Sequence, residues 1–234
     1  MTEIGTALAR FPADDDDDVL VAVLARIEKG ELVLAASEAA RVAGYLGHAR
    51  KAVRRHASGA LAAAIRSGSI GPECCEALLA SDDAATRWGA AFALSKSGTA
   101  RAEAVEVALA TLEADDGDVR WAAAAIVVAA ARESPQLRMR LRTLTTGGAA
   151  TTRKMALLCL CDSGERDTEI YLRALGDRDA LVRLAALTAL GRIGDSSAPP
   201  LAAVSAVADA DTEATVRRAA VAILRRLAPK DRPG

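Results

Sequence analysis

One pattern of apolar positions repeats along this chain, always in the same phase to an arginine. The arginines are Arg54, Arg87, Arg120, Arg153, Arg183 and Arg217, spaced by 33, 33, 33, 30 and 34 residues. The residue before each is β-branched: Val53, Thr86, Val119, Thr152, Val182 and Val216. Three positions after each stands an alanine: Ala57, Ala90, Ala123, Ala156, Ala186 and Ala220. Seven after come Leu61, Leu94, Val127, Leu160, Leu190 and Leu224, and small or branched residues fill most of the sixth places. Offsets of −1, +3, +6, +7 and +10 from the arginine fall on one helical stripe, because side chains recur about every 3.6 residues. Each copy therefore predicts one amphipathic helix of about fourteen residues. Asp118 and Thr215 stand where caps would start two of them. Gly68, Gly98, Gly164 and Gly194 stand where four of them would stop.

A shorter apolar segment precedes most of these helices. Leu46, Leu79, Leu112 and Leu175 lie eight residues before the anchor arginine, and Leu144 lies nine before. The spacing predicts first helices over Glu103–Leu112, Gln136–Leu144 and Ile170–Leu175. Pro199 and Pro200 would open the last one, where a missing N–H costs little. A single helix pair cannot bury both of its apolar faces, whereas stacked pairs can. The expected fold is therefore all-α: an α-solenoid, a right-handed superhelix of about six helix–turn–helix repeats over residues 18–228. Asp18–Lys29 is expected as an N-terminal helical cap and Glu31–Tyr45 as the first helix of the first repeat. Residues 1–17, with the acidic run Asp14–Asp18, are expected as a tail without fixed structure, and 229–234 as a C-terminal tail.

The fifth copy reads Leu175-Gly-Asp-Arg-Asp-Ala-Leu-Val-Arg-Leu-Ala-Ala-Leu-Thr-Ala-Leu-Gly-Arg-Ile-Gly-Asp195. It resembles the short HEAT-like repeat of bacterial proteins, including the phycobilisome-lyase type. The sixth copy keeps Asp211 and Val216-Arg217, and the third keeps Asp116, Asp118 and Val119-Arg120. The likeness spans roughly residues 46–227. It implies a structural role for the six anchor arginines, each pairing with turn aspartates of its own or a neighbouring repeat; Asp177 and Asp179 are the aspartates expected to meet Arg183. The tetratricopeptide and ankyrin patterns are absent.

Charge and composition narrow the function classes. The net charge is −1, from 30 basic and 31 acidic residues, which argues against a general nucleic-acid binder. Aromatic residues are 3% of the chain, against the tryptophan-rich, basic character of HEAT-like DNA glycosylases. The iron-dependent deoxyhypusine hydroxylases, also HEAT-like, use His-Glu pairs; His48 and His56 are followed by Ala49 and Ala57. Cys74, Cys75, Cys159 and Cys161 read as free thiols in or near the core, without metal-site spacing. No secretory signal or membrane span is visible, so the expected setting is the cytoplasm. No catalytic residue, metal or cofactor is assigned. The expected function is a non-catalytic scaffold binding a protein partner on its concave face. An accessory bilin lyase or chaperone and a weak nucleic-acid binder stand as alternatives.

The position one after each anchor arginine lies beside the core stripe, and in HEAT-like arrays the second helices line the concave face. It holds Arg55, Trp88, Trp121, Lys154, Leu184 and Arg218, with Phe92 one turn beyond Trp88. Both tryptophans of the chain fall in this row. Tryptophan and arginine are enriched at binding hot spots, so these seven residues are the candidate partner site, suited to an acidic peptide or helix with apolar anchors. Filling gaps between alanine-lined helices is the competing role for the two indoles. Further basic clusters are Arg50, Lys51, Arg54 and Arg55, and Arg217, Arg218, Arg225, Arg226, Lys230 and Arg232. Solvated helix faces account for both.

Overall fold

The computed structural model describes residues 11, 16–99, 101–194 and 198–227, and their regular elements are helical. The chain divides into two compact units, Met1–Thr111 and Leu112–Gly234. Unit 1 contains α1 (Asp17–Glu28), a 3-10 turn (Ala36–Glu38), α2 (Ala39–Gly44), a 3-10 turn (Tyr45–Gly47) and α3 (Lys51–Ser67). It continues with α4 (Glu73–Glu76), a 3-10 turn (Ala77–Ala80), α5 (Ala84–Ser97) and α6 (Ala102–Thr111). Unit 2 contains α7 (Gly117–Glu133), α8 (Pro135–Leu144), α9 (Ala150–Asp162), α10 (Thr168–Ala174), α11 (Ala180–Ile193), α12 (Ala198–Ala210) and α13 (Ala214–Leu227).

Within each unit, successive helices bearing an anchor arginine pack on one another. In unit 1, α3 lies between α1 and α5; in unit 2, α7, α9, α11 and α13 follow side by side. The intervening helices pack on their chain neighbours, as α8 does on α7 and α9. This stacking of helix pairs is the α-solenoid the periodicity predicts. Its contact layer is the alanine stripe: Ala57, Ala90, Ala123, Ala156, Ala186 and Ala220 are all 0% exposed. The +7 residues Leu61, Leu94, Val127, Leu160 and Leu190 close the same layer. At the α11–α13 contact, a methyl group on Gly191 would collide with Ile223.

The helix ends follow local chemistry. Gly68, Gly98 and Gly194 stop α3, α5 and α11 at φ of 75°, 85° and 73°, the left-handed conformation glycine adopts without steric cost. The starts lie earlier than expected. Asp83, Asp116 and Asp179 cap α5, α7 and α11 from four residues before the arginine, each accepting N–H bonds from the first turn. Asp118 and Thr215 therefore sit inside their helices. Glu31–Tyr45 is not one helix either. Gly30 (φ 75°) turns the chain, the N–H groups of Glu31 and Leu32 return to the Arg26 carbonyl, and Ala35 is extended at ψ 146°. Helix resumes only from Ala36, with Leu34 buried in the gap. Asp16, inside the expected acidic tail, caps α1. Asp18 pairs with Arg50 at 2.7 Å, and Asp17 lies 3.4 Å from His48. The rest of that tail, apart from Phe11, and residues 228–234 lie outside the described residues.

Each anchor arginine ties down the turn before its own helix. Arg54 Nη1 donates to the carbonyls of His48 and Ala49, and Arg87 Nη1 to those of Ser81 and Asp82. Arg120, Arg153, Arg183 and Arg217 do the same to Ala114, Gly148, Asp177 and Asp211. Two of them also reach the next repeat. Arg153 Nε and Nη2 donate to the Asp177 carboxylate at 2.7 and 2.8 Å, and Arg183 grips Asp211 at the same two distances. The carboxylate Arg183 meets is thus the following repeat's Asp211; from its own turn it takes only the Asp177 carbonyl. Asp179 is occupied as a cap. These bidentate pairs are almost closed off from water, with side chains 6% and 13% exposed in one and 10% and 5% in the other. Each arginine holds its aspartate below the usual carboxylate range. Arg120 has no such partner. Gly147 stands where the aspartate would be, and the buried Arg120 Nε meets no acceptor among the described residues.

Two outcomes test this construction. Ala156→Leu should lower unfolding free energy by about 1–3 kcal/mol in urea titration through overpacking, whereas Ala125→Leu, at an exposed site, should shift it by less than about 0.5 kcal/mol. Asp211→Asn should cost about 2–3 kcal/mol near neutral pH, because Arg183 keeps an uncompensated charge. The depressed folded pKa of Asp211 means its contribution is fully present above about pH 3.9 and is lost as pH falls through the folded value. The stability difference between wild type and variant should therefore shrink across acid titration.

Candidate functional site

On an anchor helix, the arginine and the residue after it point about 100° apart, so one enters the turn network while the other faces outward. In unit 1 this outward row holds Arg55 on α3 and Trp88 on α5. Arg55 is exposed, with Nη2 2.9 Å from His56 Nε2. Trp88 is half-buried and tilts against Phe92, the ring centroids 5.7 Å apart. Lys96 Nζ lies 5.7 Å from the Phe92 centroid, one turn further along. Trp88, Phe92 and Lys96 thus form an aromatic and cationic strip down α5.

In unit 2 the row holds Trp121, Lys154, Leu184 and Arg218, on α7, α9, α11 and α13. Trp121 and Arg218 are exposed, and Lys154 and Leu184 are half-buried. Trp121 keeps 52% of its surface open to water, unusual for the largest apolar side chain. It stands at one end of a groove of about 440 Å³ between α7 and α9. Ala124, Ala125, Val128, Ala129, Leu158 and Cys159 line it, and Arg132 and Asp162 close the other end. The alanines that let the helices approach also leave the trough between them shallow and apolar. Cys159 is part of its floor; burial pushes this thiol up to about 12, so it remains neutral.

Charges at the groove are unevenly matched. Asp162 has its carboxylate on Arg192, and its carbonyl accepts from Arg132 Nη2 at 3.2 Å. Lys154, one turn before Leu158, has no carboxylate within 4.0 Å among the described residues. Burial, and then repulsion by Arg120, push its amine below the ordinary lysine value, against a smaller attraction from Asp179.

Of the row, Trp121 lines this groove, while Lys154 stands one turn before the lining Leu158 on α9. The groove's far wall, Leu158, Ala125 and Val128, does not follow from the +1 spacing alone. The signal was available one turn further, at +5, where Phe92, Ala125 and Leu158 share a place in three repeats. In the remaining basic clusters, Arg50 pairs with Asp18 and Arg54 and Arg217 bond turn carbonyls, while Arg225 and Arg226 are exposed. Lys230 and Arg232 lie outside the described residues. His56 pairs with Glu28 at 2.8 Å. The four cysteines are free thiols, Cys75 and Cys159 buried and Cys74 and Cys161 partly so. Among the described residues, no group of three or more His, Cys, Asp or Glu is placed to hold a metal ion. No helix among them is long and apolar enough to cross a membrane.

A half-buried cation without a carboxylate detracts from folding. Lys154→Met should therefore raise the thermal midpoint, with a gain of about 0.5 kcal/mol. Calorimetry showing a loss would mean that Lys154 is already satisfied in the free protein.

Residues 138–225 match the family model described as HEAT repeats. No curated protein matches the chain. Several solved structures are similar to it. An engineered protein is 19% identical, with 92% of this chain and 66% of that one covered, at a TM-score of 0.43. Human deoxyhypusine hydroxylase in complex with glycerol is 19% identical, covering 92% and 81%, at a TM-score of 0.40. Computationally designed armadillo repeat proteins for modular peptide recognition are 14% identical, covering 88% and 98%, at a TM-score of 0.43. The family match falls on α8 through α13 and supports HEAT-like repeats there.

Proposed function

We propose that this chain is a non-catalytic interaction scaffold, binding a protein partner through the outward row of its anchor helices. One observation carries the reading: Trp121 is half exposed at the mouth of an apolar groove that no other part of the described chain fills. An exposed indole beside an alanine-floored trough is a poor use of a tryptophan for stability and a good one for binding. In unit 1, the half-buried Trp88–Phe92 pair offers an aromatic element at the corresponding position of its own repeat. The repeats, with their Val-Arg and turn aspartates, are in this reading of the short bacterial type that includes the phycobilisome lyases. The proposed setting is the cytoplasm, where Cys74, Cys75, Cys159 and Cys161 would remain thiols.

Affinity capture from lysate of the source organism, read by mass spectrometry, tests the scaffold. A specific protein should be recovered by wild type and lost by Trp88→Ala/Trp121→Ala, with circular dichroism showing the variant folded. Equal recovery by both would move the interaction off this row.

A further inference from the structure

Resting on the scaffold reading, we infer that the α7–α9 groove of unit 2 receives the apolar core of an acidic peptide segment. Its flanking carboxylates pair with Lys154 at one end and Arg132 at the other.

The groove supplies both halves of this recognition. Its floor, Ala124, Ala125, Val128, Ala129 and Leu158, offers no charged group, and about 440 Å³ admits more than one aliphatic side chain. Trp121 can close over such a side chain as a rigid lid of large contact area. Arg132 lines one end, and Lys154 stands one turn before the lining Leu158 toward the other. Lys154 has no carboxylate within 4.0 Å among the described residues, and Arg120 adds positive potential beside it. Arg132 is exposed and donates to the Asp162 main-chain carbonyl rather than to a carboxylate. The sole carboxylate lining the groove, Asp162, is already paired with Arg192. A basic segment would meet Arg132 and Lys154 with the lining carboxylate already taken; an acidic one pairs with both.

The helix rise sets the spacing. Lys154 and Asp162 are eight residues apart on α9, about 12 Å, and Trp121 and Arg132 eleven apart on α7, about 16 Å. An extended peptide advances about 3.3 Å per residue. Two acidic residues with three residues between them therefore span the groove, with apolar side chains inside.

The probe is a capped peptide with the core Asp-Leu-Ala-Leu-Asp, compared with Lys-Leu-Ala-Leu-Lys and Asp-Ala-Ala-Ala-Asp. Trp88→Phe leaves Trp121 as the single indole, so its emission reports this groove. The acidic apolar probe should produce a saturable blue shift that the other two do not. Lys154→Met and Arg132→Met should each weaken it about fivefold. Raising ionic strength from about 0.05 to about 0.5 M should weaken it in wild type, where folding is not in question. Stronger binding of the lysine-flanked probe overturns the inference, as does unchanged affinity in a folded Lys154→Met/Arg132→Met variant. A blue shift that grows with protein concentration alone, with dimers in sedimentation, assigns the groove to a second copy and also overturns it. If lysate capture depends on Trp88 and Trp121 while the acidic probe fails, only this inference falls. If capture is unaffected by the tryptophans, the scaffold reading falls with it.

Discussion

Everything in this fold depends on how closely the anchor helices approach one another. The alanine three places after each arginine is shut off from water in all six repeats, and a larger side chain there would hold the neighbouring helix away. Because the contact layer is thin, the flanking positions decide the rest. On one flank the arginine folds back onto its turn. On the other, the outward row remains uncovered and the trough between helices stays shallow. The groove and the core contact are thus two consequences of the same small side chain.

The arginine is the second constraint, and it acts at two ranges. In every repeat it satisfies turn carbonyls that would otherwise lack donors at the end of the preceding helix. In the fourth and fifth repeats it also grips the aspartate of the next turn. A buried pair of this kind is not in itself a large source of stability, but leaving one partner alone is expensive, so it fixes the register of neighbouring repeats. At Arg120 the carboxylate is missing, and there the neighbouring Lys154 also lacks one. Among the described residues, only Arg153 and Arg183 of the anchor arginines meet a carboxylate across repeats; the others bond turn carbonyls.

Much of the architecture was legible because a helix turns each offset from the arginine into a direction. The six alanines, five of the six +7 residues and the glycine stops appear where the spacing puts them; Leu224, in the last repeat, is only half-buried. What spacing could not supply was reach. Capping carboxylates bond N–H groups two and three residues ahead, so the caps at Asp83, Asp116 and Asp179 lie earlier than the apolar pattern begins. Glu31–Tyr45 has helical spacing but follows a glycine turn that spends its first residues closing α1.

The sequence by itself determined the repeat, its helix pairs, the buried alanine layer and the outward row from Arg55 to Arg218, because each is a periodicity of one helix. Tertiary structure alone decided which aspartate an arginine grips, that Asp17 and Asp18 meet His48 and Arg50 in the turn before α3, and that Trp121 opens onto a groove walled by Leu158. Those facts depend on which turn of one helix lies against which turn of the next, a distance between backbones that no spacing along the chain encodes.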